Sequence, residues 1–67
     1  MITIEVYYRE KKKKLKMKST STIEDVLETL GINRETVIVS RNGEIVPEIE
    51  KIKNGDKLKI VDVVSVG

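Results

Sequence analysis

Ile23, Val26, Leu27 and Leu30 fall at i, i+3, i+4 and i+7, and no other stretch of the sequence keeps that spacing for two turns. The remaining apolar residues alternate with polar ones or sit in short β-branched runs. One amphipathic helix hides one face of one sheet, so the chain is limited to a sheet with a single covering helix. Its 67 residues leave room for one core and no second module. The helix carries its own boundary signals. Ser21 with Glu24, or Thr22 with Asp25, has the spacing of a capping box, and Gly31 follows the last apolar residue, where a left-handed backbone ends a helix.

Strand patterns flank the helix on both sides. Ile2, Ile4, Val6 and Tyr8 alternate with Thr3, Glu5 and Tyr7. A charged turn is expected over residues 9–13, followed by a strand with Leu15 and Met17 inward. Its outward lysines suit a sheet edge. After the helix, Thr36 to Ser40 reads as a third strand, and Asn42-Gly43 is a strong hairpin signal. Ile45 and Val46 make a short fourth strand that Pro47 terminates. Ile49 and Ile52 have helical spacing, which predicts one turn closing the bottom of the core with both residues buried. Asn54-Gly55-Asp56 is a turn, and the last strand runs from Lys57 to Val64 with Leu58 and Ile60 inward.

The first and last strands are the most apolar and belong in the middle, and the helix supplies the crossover. The pattern predicts an α+β, β-grasp (ubiquitin-like) fold. A mixed four- to five-stranded sheet is covered on one face by a single helix, in one domain spanning 1–67 with a flexible tail at about 64–67. The predicted core joins Ile2, Ile4 and Val6 to Leu15, Met17, Val26, Leu27, Leu30, Val37, Val39, Leu58 and Ile60.

Composition removes several chemistries. With no cysteine and no histidine, zinc enzymes, cysteine hydrolases and Ser-His-Asp triads are excluded. A chain this short is also hard pressed to enclose a pocket of ~300 Å³, which favours a binding or carrier domain over an enzyme. Thirteen basic against eleven acidic residues, a net charge of +2, gives no argument for nucleic acid as the partner. A Lys/Glu-rich chain with few thermolabile residues is expected of a thermophile. No apolar run approaches the ~18 residues of a membrane span, and the alternating start is unlike a signal peptide. The expected location is therefore cytoplasmic.

Several segments, in order, resemble the ThiS/MoaD-type sulfur carriers, the ThiS branch most closely. The stretch from Thr36 to Pro47 is similar to that family's valine-rich strand followed by Asn-Gly-Glu and Val-Pro. Asn54 to Leu58 resembles its Gly-Asp turn, Thr22 to Leu30 its Thr-capped helix, and Val61 to Gly67 its carboxyl-terminal tail. The resemblance implies a protein cosubstrate rather than an enzyme. A ubiquitin-activating-type adenylyltransferase would use ATP to adenylylate the carboxylate of Gly67, and sulfur would then replace AMP to give a thiocarboxylate. Val64, Ser65 and Val66 would enter the partner with it. Sulfur donor and acceptor enzymes are the further partners implied, serving thiamine, molybdenum cofactor (molybdopterin) or tRNA thiolation. No bound cofactor or metal is expected, and the carrier would be a monomer on its own. The family ends in Gly-Gly, whereas here Val66 precedes Gly67 and restricts the backbone next to the reacting group.

Two surfaces remain. By alternation Tyr7, Ile38, Val61 and Val63 face away from the helix, and clustered exposed aliphatics on a sheet mark a partner surface. The run Arg9, Lys11 to Lys14, Lys16 and Lys18 reads as a solvated, protected edge. The alternatives are a ubiquitin-like protein-binding module without thiocarboxylate chemistry and an RNA-binding β-grasp module, the latter poorly served with aromatic residues for base stacking.

Overall fold

The computed structural model describes residues 1–63. Strands β1 (Ile2–Tyr8) and β2 (Lys11–Met17) form a hairpin, followed by helix α1 (Ile23–Leu30) and a 3-10 turn (Arg34–Thr36). Strands β3 (Val37–Arg41), β4 (Glu44–Ile45) and β5 (Lys57–Asp62) complete a sheet ordered β2-β1-β5-β3-β4. β1 and β5 pair in parallel and the other pairs are antiparallel. This is the mixed sheet with one helix expected of a β-grasp. The first and last strands lie side by side inside it, and they carry Ile4, Val6, Leu58 and Ile60, each no more than 3% exposed.

Of the two capping choices, Thr22 takes the position. Its N–H donates to Asp25 Oδ2 at 2.9 Å and its hydroxyl accepts from the Asp25 N–H at 3.4 Å. Gly31, at φ 72°, ends the helix by sending its N–H to Glu28 O, while the Ile32 N–H reaches back to Leu27 O at 2.9 Å.

The core comprises Ile4, Val6, Met17, Ile23, Val26, Leu27, Val37, Val39, Ile52, Leu58 and Ile60. Ile2, Leu15 and Leu30 pack against it only partly buried. The helical turn expected around Ile49 and Ile52 does not form. A hydrogen bond from Glu50 N to Pro47 O closes a tight turn, Lys51 bridges to Thr22, and Ile52 N donates to Ser21 O. The reason lies at the start of α1, whose first amides have no intrahelical acceptor. Ile23 N bonds Glu50 O and Glu24 N bonds Glu48 O, both at 2.9 Å, so this segment is held extended against the helix entrance. Ile52 is thereby buried, whereas Ile49 sits on the turn, 77% exposed.

The first hairpin also departs from expectation. Tyr8 pairs with Lys11, so the loop is only Arg9-Glu10, and Lys11 to Lys13 belong to the strand. Both loop residues have positive φ, 49° and 63°, the hand that matches strand twist in a two-residue hairpin. Neither is a glycine or asparagine, which is why the sequence conceals the turn. At the last strand, β5 ends at Asp62, short of the expected Val64, which lies outside the described residues.

Candidate functional site

Period two along the strands puts Tyr7, Ile38 and Val61 on the face of the sheet opposite α1. Ile38 pairs directly with Val61, and Tyr7 lies in the next row, between Lys12 on β2 and Lys59 on β5. All three are exposed. The residues expected to form a partner surface are thus neighbours on an uncovered face. Ile45 joins them. The two-residue loop Asn42-Gly43 sets it opposite Ser40, which shares the parity of Ile38, and it is 72% exposed. Counting register across that loop would have found it in the sequence. Exposed Lys12, Lys14, Lys57 and Lys59 flank the patch. The Tyr7 hydroxyl donates to Glu5 Oε2 at 3.0 Å, and this bond to a carboxylate raises the Tyr7 pKa and keeps the phenol protonated.

Val63 stands apart from that patch. It is exposed, its N–H donates to Thr36 O at 2.8 Å, and it lines a groove with Tyr8, Arg9, Gly31, Asn33 and Asp62 where the chain leaves the sheet. A cluster that sequence reasoning missed anchors this exit. Asp62 accepts from the Tyr8 hydroxyl at 2.8 Å and from Arg9 Nε at 2.9 Å, and the Arg9 guanidinium lies 5.0 Å from the centre of the Tyr8 ring. The Arg9 and Tyr8 hydrogen bonds hold the Asp62 carboxyl below its ordinary pKa, and the bond to Asp62 raises that of Tyr8. No periodicity announces such a cluster, because Asp62 is more than fifty residues from its partners and meets them only through the parallel β1–β5 pairing.

The described chain stops at Val63, and the sequence continues as Val64, Ser65, Val66 and Gly67. These four, with the flexible tail expected of them, lie outside the described residues. Tyr7 and Tyr8 project to opposite faces of the sheet, so they do not form a two-ring stacking platform for bases. Among the described residues, no three acidic side chains converge as metal ligands, and no helix is long and apolar enough to cross a membrane.

The ThiS family model matches residues 2–67. The chain is 30% identical, over 56 residues, to the sulfur carrier protein TtuB of Thermus thermophilus, an alignment covering 84% of this chain and 86% of that protein. The crystal structure of SAMP1 from Haloferax volcanii superposes with a TM-score of 0.70 at 20% identity, covering 98% of each chain. A ubiquitin from Caldiarchaeum subterraneum gives a TM-score of 0.73 at 14% identity, again over 98% of each chain. Those two likenesses establish the ubiquitin-like fold, while the family match and the TtuB relationship establish kinship in sequence: the chain belongs to the ThiS family.

Proposed function

We propose that this protein is a sulfur carrier whose reactive group is the carboxylate of Gly67. The observation that carries the reading is that the family match runs through to residue 67, the glycine to which the anchored final strand leads. A carboxylate is a poor acyl donor until it holds a good leaving group. A ubiquitin-activating-type adenylyltransferase supplies one: a Gly67 oxygen attacks the α-phosphorus of ATP, and pyrophosphate departs. A hydrosulfide, sulfur already at the sulfide level, released by a donor enzyme then adds to the acyl carbon, AMP leaves with the bonding pair and the S–H proton goes to solvent, producing a thiocarboxylate for an acceptor enzyme of thiamine, molybdopterin or tRNA thiolation. ATP belongs to the partner, and the carrier needs no side-chain acid or base.

The structural features divide this work. Tyr7, Ile38 and Val61 offer the apolar face on which the adenylyltransferase docks, with Ile45 extending it. The Asp62 anchor sets the direction from which Val64, Ser65 and Val66 enter the partner. Val66 favours one competing reading, a ubiquitin-like binding module without thiocarboxylate chemistry, because a β-branched residue narrows the backbone freedom that a glycine leaves.

Pyrophosphate exchange with the cognate adenylyltransferase separates the two. The carrier reading expects ATP-dependent exchange that Val66→Gly accelerates and that deletion of Gly67 abolishes. If neither the wild type nor Val66→Gly is adenylylated although both bind the enzyme, the binding-module reading replaces it.

A further inference from the structure

β2 is an edge of the sheet, seven residues long, while the opposite edge, β4, has only two. Half of the backbone N–H and C=O groups of an edge strand point outward, ready to pair with another strand. What surrounds those groups on β2 is asymmetric. On the uncovered face Lys12, Lys14 and Lys16 form a row of exposed cations. On the helix side, at the hairpin end, β2 borders a cleft of about 250 Å³ between the sheet and the end of α1. Val6, Tyr8, Leu30 and Ile32 line it together with Lys11 and Lys13. Further along β2 the helix side changes character, where Met17 borders a groove that Asp25 and Glu28 also line.

We propose that β2 is a docking edge for an extended acidic segment of a partner protein, one that alternates carboxylates with branched aliphatic residues. Such a segment adds as a sixth strand. Period two sends all its carboxylates to the Lys12, Lys14, Lys16 row and its aliphatic side chains toward the helix side, where the cleft receives those at the hairpin end. The lysines select as well as attract. A second copy of β2 would set lysine against lysine across the ladder, and a neutral strand would leave the row uncompensated. Charge complementarity thus identifies the occupant as acidic. The cleft and the free ladder groups identify it as an extended peptide rather than a nucleic acid, which has no backbone donors to match. The edge lies on the opposite side of β1 from the Val61–Ile38 pair, the two surfaces meeting where Tyr7 pairs with Lys12, and this proposal does not depend on carrier chemistry.

The probe is a capped seven-residue peptide alternating glutamate with valine, titrated into isotope-labelled protein and followed by amide resonances. Shifts and exchange protection are expected along Lys11 to Met17, with shifts at Leu30 and Ile32. The double substitution Lys12→Glu, Lys14→Glu, both at exposed positions, is expected to weaken binding by at least about tenfold while the fold persists. That same variant is expected to bind the lysine–valine counterpart of the peptide, which the wild type rejects. Three results would overturn the proposal. Equal binding of a backbone N-methylated peptide would show charge attraction without strand pairing. Equal binding of a single-stranded oligonucleotide of the same charge would show a general polyanion site. Absence of any shift with the peptide at about 1 mM, a Kd weaker than −4 kcal/mol of binding, would remove the site altogether.

Discussion

The two faces of the central strands β1, β5 and β3 have the same backbone and opposite fates. Toward the helix they present Ile4, Val6, Leu58, Ile60, Val37 and Val39, all buried. Away from it they present Glu5, Tyr7, Lys57, Lys59, Val61 and Ile38, none of them buried. A domain of this size has little stability to spare, so its apolar residues are expected on the covered face. Aliphatic and aromatic residues on the uncovered face contribute little to folding, and their placement points to contact with something else.

Breaking the covered face gives the largest effect. Leu58 is fully buried at the sheet centre, and Leu58→Ala is expected to cost ~2–5 kcal/mol by urea unfolding, a large part of the total. Next comes Arg41, which holds the 50–56 segment to the end of the sheet. Its guanidinium donates to Lys51 O at 3.1 Å, Glu50 Oε1 at 3.2 Å and Asp56 Oδ2 at 3.3 Å, with the side chain only 17% exposed. Arg41→Ala is expected to cost about 1–3 kcal/mol in the same measurement, since it leaves the Asp56 carboxylate and a carbonyl short of a donor. On the uncovered face, Ile38→Thr with Val61→Thr keeps the β-branching that suits a strand. The pair is expected to change stability by less than ~1 kcal/mol while abolishing capture by the adenylyltransferase. A large loss of stability from this pair would mean that the two faces do not differ as described.

The smallest effect concerns the anchor at the strand end. Asp62 has its pKa lowered in the folded state, so its contribution is present above the ordinary value of 3.8 and is lost as pH falls through the folded one. Tyr8 is shifted upward, so its share is present below 10.0 and is lost as pH rises through the folded value. Thermal midpoints of wild type and Asp62→Asn are therefore expected to differ slightly at neutral pH and to converge below pH 3.8.

Local periodicity made much of this legible. The stripe of α1, the alternation of β1 and β5 and the Asn42-Gly43 turn each follow from a few neighbouring residues, and they put the first and last strands in the middle of the sheet and the trio Tyr7, Ile38 and Val61 on its uncovered face. What escaped depended on distant partners. Ile49 and Ile52 share helical spacing, but the need of the first α1 amides for acceptors pulled their segment straight and left Ile49 in solvent. The Arg9-Glu10 turn has no glycine to betray it, and its contact with Asp62 comes from across the sheet. Arg41, just before the Asn42-Gly43 turn, is the centre of an ion cluster assembled from residues nine to fifteen positions away, which no local pattern announces.

The central claim is that Gly67 carries sulfur, and the intact mass of the protein isolated from its native host tests it most directly. Exchange of one carboxylate oxygen for sulfur adds about 16 Da, on a mass that places Gly67 at the carboxyl terminus. The account predicts that species, confined to the last residue on fragmentation and absent from the Gly67 deletion. Only the unmodified mass, from cells in which the adenylyltransferase is active, would contradict it.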